Sequence, residues 1–169
     1  QYDRRFFNKD VQPHVYAIRE SNHLNPLCVE YFVNGDAKLK TDMQTLIEEM
    51  HDAKEYGSIL NITNVDFGSM YARFDEIRND TNIVHETVLN ELLPFVQVAQ
   101  TMAQKYDVVV TNPPYMGSSG MGPILSTFVK KYYPDSKSDL FAVFIERCKN
   151  MSMPCAYFAM ITQQAWMFQ

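Results

Sequence analysis

The residues best suited to chemistry in this sequence are Asn112, Pro113, Pro114 and Tyr115, which follow three consecutive valines and a threonine. Each proline locks its own φ angle and pushes the preceding residue out of the helical region, so the backbone is extended and rigid. The amide oxygen of Asn112 and the backbone carbonyl of Pro113 are thereby held close together as two hydrogen-bond acceptors. Tyr115 adds an aromatic face on which a planar base can stack.

Two fixed acceptors can act on an aromatic amine. The exocyclic amine of adenine is a poor nucleophile because its lone pair is delocalised into the ring. Accepting hydrogen bonds from both of its N–H groups favours a pyramidal nitrogen, whose localised lone pair can attack a methyl sulfonium. This chemistry requires neither a metal nor a covalent intermediate.

The elements around the motif explain its position. The valine run predicts a strand over 107–111 that is buried on both faces, and the carboxyl end of a parallel strand is where open α/β sheets bind ligands. A helix is predicted over 140–151, capped by Ser138-Asp139 and ended by Pro154, and a second strand over 156–162. Strand, helix and strand in this order imply a parallel crossover, the repeating unit of a doubly wound α/β sheet.

The rest of the chain is predicted to be mostly helical. Its predicted elements are a helix end at 2–10, a strand at 15–20, a turn at 21–23, a helical stretch from 26 to 56, a strand or extended segment at 58–67, and helices at 69–79, 83–105 and 124–133. Thr41-Asp42 is the expected cap within the helical stretch, and Gly57 its stop. Pro94 is expected to interrupt the helix at 83–105.

Composition limits the possible functions. The 169 residues are 46% hydrophobic and 21% charged, as in an ordinary globular domain. There is no apolar run of membrane-spanning length and no export signal, so we expect a cytoplasmic protein without a membrane partner. The three cysteines lack CxxC spacing and the four histidines lack HxxxH spacing, so we expect neither a disulfide framework nor a metal site. The net charge is −5, so any electrostatic attraction to nucleic-acid phosphates must come from a local basic patch or from regions outside this chain.

The motif and its surroundings resemble a known family. Asn112-Pro113-Pro114-Tyr115 after YDVVVT resembles the catalytic motif of amino-group methyltransferases that use S-adenosylmethionine, in particular the N6-adenine DNA enzymes. The longer runs YDVVVTNPPYMGSSGM, FVKKYYPDSKSDLFAVFIERC and AMITQQAWMF resemble the PglX family of BREX type 1 adenine-specific methyltransferases and its type II restriction-methyltransferase relatives. Motifs related to the tetrapeptide also occur in enzymes that methylate protein glutamine or ribosomal RNA.

The resemblance implies both a fold and a cofactor. It implies a partial Rossmann-like sheet of the class I methyltransferases, S-adenosylmethionine as cofactor, and a DNA adenine flipped out of the duplex as substrate. The motif residues Asn112, Pro113, Pro114 and Tyr115 would be catalytic, with Asn112 and Pro113 also close to the methionine end of the cofactor.

The resemblance also implies a polar or acidic residue that contacts the adenosine of the cofactor. By chain order this residue is Asn22, and Asp66 is the alternative. Choosing Asn22 makes residues 23–105 a mostly helical insertion between two parts of the catalytic domain, 1–22 and 106–169.

Two elements of the family pattern are missing, the glycine-rich cofactor loop and the acidic residue at the end of the following strand that binds ribose. The chain has six glycines, and no GxG-type loop directly follows any predicted strand. Together with the absence of start and stop signals at the chain ends, this predicts an internal piece of a longer protein, inactive alone, whose cofactor loop precedes Gln1.

Three functions are compatible with these observations. The first is the catalytic core of an adenine-N6 DNA methyltransferase in phage defence or restriction-modification, with other defence proteins as partners. The second is a methyltransferase that acts on protein glutamine or RNA. The third is a non-catalytic module for assembly or DNA contact in a defence complex.

Overall fold

The computed structural model describes residues 13–80, 82, 84–162 and 164. The helix end predicted over 2–10 lies outside these residues. The described residues form α1 (Pro26–Val33), α2 (Ala37–Glu49), α3 (Ala53–Tyr56), α4 (Phe67–Arg78), α5 (His85–Ala103), β1 (Tyr106–Thr111), α6 (Pro123–Tyr132), α7 (Leu140–Met151) and β2 (Ser152–Met160). Two short 3-10 helices lie at Gly57–Ile59 and Ser118–Gly120.

Helices α1, α2, α4 and α5 enclose the larger hydrophobic core. Val88, Leu92 and Phe95 recur at helical spacing on α5 and are fully buried. They share this core with Phe32 of α1 and Phe74 of α4, whose ring centroids lie 4.6 Å apart. Full burial of one such side chain is worth about 1.5–3 kcal/mol, so packing of apolar helix faces holds this part together.

Side-chain caps set the beginnings of the first two helices. The Asn25 side-chain oxygen accepts a hydrogen bond from the Leu27 N–H, and Pro26 occupies the first helical position. Asp36 caps α2 by accepting from the N–H groups of Lys38 and Leu39. The predicted cap at Thr41-Asp42 is therefore wrong: Thr41 lies inside α2, where its hydroxyl donates to the Ala37 carbonyl.

Of the other boundaries and strands predicted before β1, one helix end is confirmed and the rest differ from the structure. The stop at Gly57 is confirmed, since this residue follows α3 with φ +59, a conformation that glycine adopts without strain. The region 58–67 contains no strand: residues 58 and 59 belong to the 3-10 helix, 60–66 form no helix or strand, and Phe67 begins α4. Residues 15–20 form no strand either: Val15 is 89% exposed, and the segment has no strand partner among the described residues. Pro94 does not interrupt α5, because the buried residues on both sides of it hold one continuous helix.

The two strands pair in parallel, as the order strand, helix, strand predicted. Val108 aligns with Tyr157 and Val110 with Ala159, and α7 packs against both strands. The second strand begins directly after α7, so Pro154 lies inside β2 and does not end the helix as expected. Near this proline the register shifts, and Cys155 adopts a positive φ of 63°.

Burial of β1 differs from the prediction. Val108 is 59% exposed and Val110 is 73% exposed, and the neighbouring Tyr157 is 78% exposed. Val109 and Thr111, which alternate with them, are half-buried. The exposed side chains show that no described element covers this face of the two-stranded sheet, so the prediction of burial on both faces is wrong. The mixed α/β architecture with a parallel sheet is confirmed.

A buried cation joins the strand-bearing part to the helical part. Arg147 of α7 is 2% exposed and donates to the Ser58 carbonyl (3.2 Å), the Asn61 side-chain oxygen (3.1 Å) and the Met102 carbonyl (2.7 Å). Burial lowers the pKa of its guanidinium, which still remains charged.

Tyr133 donates to the Ile59 carbonyl, and burial raises the pKa of Tyr133 to about 12. Tyr133 belongs to a second hydrophobic core, whose buried residues are Ile59, Met121, Val129, Tyr133, Leu140 and Val143.

We expect Arg147→Leu to lower the free energy of unfolding of the chain by about 3–5 kcal/mol, because it leaves buried acceptors without donors. Equilibrium urea denaturation measures this change. The control is Arg78→Leu, whose guanidinium pairs with Asp75 at the surface and whose loss should cost less than about 1 kcal/mol. Equal losses for the two variants would contradict the role given to Arg147.

Candidate active site

The motif begins directly after the last residue of β1. Pro113 is buried, whereas Asn112, Pro114 and Tyr115 are exposed. Burial anchors the backbone at Pro113, and the two prolines restrict its torsion angles. Within the described part of the chain, no hydrogen bond engages the Asn112 side chain. Its amide oxygen is therefore available to an external donor.

Tyr115 is held at its hydroxyl. The hydroxyl donates to the carbonyl of Ile161, just beyond β2, at 3.0 Å. The N–H of Ile161 in turn donates to the Thr111 carbonyl at the end of β1, at 3.4 Å. Tyr115 is nevertheless 45% exposed. The ring therefore has a fixed attachment and open surface for a planar ligand.

The loop after the motif is fixed to the beginning of α7. The N–H of Leu140 donates to the Met116 carbonyl, and the N–H of Ser118 donates to the Ser138 carbonyl, both at 2.9 Å. Gly117 and Asp139 form an antiparallel bridge between these segments. The Asp139 carboxylate accepts from the N–H of Phe141 at 3.2 Å, which confirms the predicted cap of α7.

Asn22, the preferred contact for the cofactor adenosine, lies in the turn before α1. Its amide nitrogen donates to the Asp52 carboxylate at 2.7 Å, and its amide oxygen accepts from the Asp52 N–H at 2.9 Å. Asp52 has a positive φ of 56°, and the two bonds support this strained backbone. Neither bond reaches the 112–115 motif. A role for Asn22 in cofactor binding stays a prediction.

Asp66, the alternative contact, caps α4. Its carboxylate accepts from the N–H of Ser69 at 3.0 Å and from the Ser69 hydroxyl at 2.9 Å, and it pairs with Lys38. The bond from Lys38, helped by those from Ser69, holds the pKa of this carboxyl well below its usual range. These contacts account for an acidic residue at this position, and its role with the cofactor also stays a prediction.

The described residues contain no group of three or more His, Cys, Asp or Glu side chains that could hold a metal ion. No helix among them is long and apolar enough to cross a membrane. Cys28, Cys148 and Cys155 are free thiols, of which the first two are buried.

Three groups that shape the site were not predicted from the sequence. They are the carbonyl of Ile161, the backbone of Gly117 and the guanidinium of Arg147. A backbone group leaves no signal in residue type. Arg147 does leave one, because it follows Leu140 and Val143 at helical spacing on the apolar face of α7, where an unpaired cation is out of place.

We expect Asp66→Asn to flatten the loss of stability of the chain in acid. Asparagine also caps helices, so the substitution keeps α4 and removes the titrating charge. A carboxyl whose pKa is lowered by folding stabilises the protein above its unfolded pKa of about 3.9, and this contribution is lost as the pH falls toward the folded value. The variant should be less stable than the wild type at neutral pH and approach it below pH of about 3.

Urea denaturation at a series of pH values measures this effect. Asp75→Asn, which removes an exposed carboxylate from the same helix, serves as the control. A constant difference between Asp66→Asn and the wild type at every pH would contradict the prediction.

Comparison with known proteins identifies relatives of this chain. A family model described as Eco57I restriction-modification methylase matches residues 15–169. Over 193 aligned residues the chain is 32% identical to the adenine-specific methyltransferase BrxX of Escherichia coli O9:H4 (strain HS), with 99% of this chain and 16% of that protein covered. Over 78 residues it is 53% identical to the adenine-specific methyltransferase PglX of Lacticaseibacillus casei (strain Zhang), with 46% of this chain and 6% of that protein covered.

The chain thus spans 16% of the length of BrxX and aligns to 6% of PglX. The resemblance first noted in the runs around Asn112 is confirmed by both relatives and by the family model. Because that model matches nearly all of the sequence, the chain belongs to the Eco57I restriction-modification methylase family.

Proposed function

We propose that the protein containing this chain is a DNA methyltransferase that transfers a methyl group from S-adenosylmethionine to N6 of adenine. Membership of the methylase family supports this proposal, as do the names of both relatives. The structural observation that carries it is the exposed Asn112 amide, free of partners among the described residues, beside the buried Pro113 at the end of β1. We place the activity in the cytoplasm, in phage defence or restriction-modification, where other defence proteins would be partners.

The chain would contribute a part of the catalytic domain. We infer that β1, α7 and β2 belong to a Rossmann-like sheet, and their parallel pairing across one helix supports this. Residues 1–22 and 106–169 would be catalytic, and 23–105 would be a helical insertion. In support of the insertion, α1, α2, α4 and α5 share a hydrophobic core of their own.

Asn112 and Pro113 would act on the nucleophile. The Asn112 amide oxygen and the Pro113 carbonyl accept hydrogen bonds from the two N–H groups of the adenine amine and favour a pyramidal nitrogen with a localised lone pair. Pro114 keeps Pro113 extended, so the two acceptors need not reorganise when the base arrives. Removing a preorganised group of this kind typically lowers kcat by about 10²–10³-fold.

Tyr115 would hold the flipped adenine. A base in a duplex is inaccessible to these acceptors, so it must leave the stack and find a replacement surface. Stacking on an aromatic side chain is worth about 1–3 kcal/mol per base. Because the Tyr115 hydroxyl is bound to the Ile161 carbonyl, less side-chain freedom is lost when the base binds.

The cofactor fits one part of this chain better than another. When bound, S-adenosylmethionine supplies an electrophilic methyl group. Asn112 and Pro113 are the residues that we place at its methionine end, and the Asn112 amide, which bonds to no other described residue, suits that position. The proposed adenosine contacts fit less well, since Asn22 is engaged by Asp52, and Asp66 by Ser69 and Lys38.

We expect Asn112→Ala in the full-length protein to reduce methyl transfer to duplex DNA by at least about 100-fold, because one acceptor of the amine is lost. The measurement is incorporation of labelled methyl into adenine N6. Asn90→Ala on the exposed side of α5 is the matched control and should retain activity.

Retention of DNA methylation by Asn112→Ala at the level of Asn90→Ala would overturn the role of the motif. If the wild-type protein labels RNA or protein and leaves DNA unlabelled, the proposed DNA substrate is wrong, while the proposed role of the motif in methyl transfer stands.

We expect Tyr115→Ala to lower kcat/KM for DNA by about 10–100-fold, because the stacking surface is lost. Tyr115→Phe keeps the ring and removes only the bond to Ile161, so its loss should stay below about 10-fold. Steady-state kinetics with varied DNA concentration separates the two variants. Equal losses of kcat/KM in the two variants would mean that the hydroxyl, and not stacking on the ring, accounts for the effect of Tyr115.

A further inference from the structure

A cleft of about 670 Å³ lies between the end of α2 and one side of α6. Its α2 side includes Glu48, Glu49 and His51, and its α6 side includes Ile124, Lys131 and Tyr132. None of its lining residues belongs to the 112–115 motif or to the segments that anchor that motif. The cleft is therefore a second concave surface, which the proposed methyl transfer does not use.

Stacked aromatic rings form one wall of this cleft. The Tyr56 and Phe128 ring centroids lie 4.1 Å apart with 19° between the ring planes, and Tyr132 continues the row at 4.7 Å from Phe128. Tyr132 is 51% exposed. The Lys131 ammonium lies 4.8 Å from the centroid of the Tyr132 ring, within the range of a cation–π interaction. The outer ring of the wall is thus placed to attract a cation.

The opposite wall carries negative charge that no described residue neutralises in an ion pair. Glu48 and Glu49 lie in the last turn of α2, where the helix dipole is also negative, and that turn has no basic residue. Glu48 accepts from the Gln44 amide at 3.2 Å through one carboxylate oxygen. Glu49 accepts from the Thr63 N–H at 2.7 Å through one oxygen and from the Thr63 hydroxyl through the other, so Glu48 is the carboxylate better placed to receive a guanidinium. No ion pair involving either carboxylate is formed with another described residue. His51 is engaged by Asp52, at 3.1 Å.

We propose that this cleft binds an arginine side chain presented by a partner protein. A guanidinium is planar, stacks on tyrosine and donates two parallel hydrogen bonds to one carboxylate, so it matches both walls at once. A lysine ammonium would satisfy the charge without the stacking. Nucleic acid is a poorer match, because its phosphates would meet Glu48 and Glu49.

The dimensions favour an arginine carried on a polypeptide. The cleft is larger than one side chain, and its rim includes Ile124, which is 47% exposed, beside Tyr132. Residues flanking the arginine would cover these apolar groups. Lys131 is a cation on the wall of the cleft itself, so it competes with the incoming guanidinium.

The test uses the full-length protein and a fluorescent, end-blocked peptide of sequence Gly-Arg-Gly-Arg-Gly, beside its lysine counterpart. We expect the arginine peptide to bind at least about threefold more tightly than the lysine peptide. Glu48→Gln and Tyr132→Ala should each weaken it by about fivefold or more, and Lys131→Ala should strengthen it. Circular dichroism and methyl transfer confirm that each variant is folded.

Glu86→Gln, an exposed carboxylate on α5, is the matched control for charge and should leave binding unchanged. Equal weakening by Glu86→Gln and Glu48→Gln would show only diffuse attraction to an acidic chain and overturn the proposal. Absence of arginine-peptide binding would also overturn it. So would a single-stranded oligonucleotide that binds in place of the peptide and loses affinity in Tyr132→Ala, since the wall would then receive bases.

Discussion

The guanidinium of Arg147 is the constraint on which the rest of the structure depends. It is a buried cation whose hydrogen-bond partners among the described residues are two carbonyl oxygens and one amide oxygen. The dipoles of these groups therefore stabilise its charge in place of a carboxylate. Those oxygens belong to the segment after α3 and to the end of α5, and they fix how α7 lies against the helices. The beginning of α7 then holds the Met116 carbonyl, one residue beyond the motif. Packing around one charge is thereby transmitted to the geometry of the proposed site.

Rigidity is distributed unevenly around that site. Pro113 is buried, the loop after the motif is bonded to α7, and the Tyr115 hydroxyl is bonded beyond β2. Against this background the Asn112 amide is exposed and has no partner among the described residues. Polar groups aligned in advance favour a reaction because they need not turn toward the substrate as charge develops. In the proposed site the backbone would align the reacting groups, and the Asn112 and Tyr115 side chains would recognise the substrate.

The sequence predicted best what depends on neighbours along the chain. The strand at 107–111, the place of the motif and the Asp139 cap rest on β-branching, proline geometry and side-chain capping, which act over a few residues. The strand proposed at 15–20 and the burial of β1 failed because pairing and covering depend on distant segments. The bonds from Asn22 to Asp52 and from Lys38 to Asp66 were hidden for the same reason, since they join residues 30 and 28 positions apart. The link from Tyr115 to Ile161 spans 46 positions and ends on a backbone atom, which no residue type reveals.

The order of the strands along the chain affects how the protein is made. β1 leaves the ribosome well before β2, because α6 and α7 must be synthesised between them. At a synthesis rate of about 5–20 residues per second, this leaves the three valines without β2 for several seconds. An unpaired β-branched edge is a template for association with other chains. The helices α1 to α5 are complete before β1 appears, so they can fold from local contacts in that interval. Their surface is then available for β1 to pack against before β2 is synthesised.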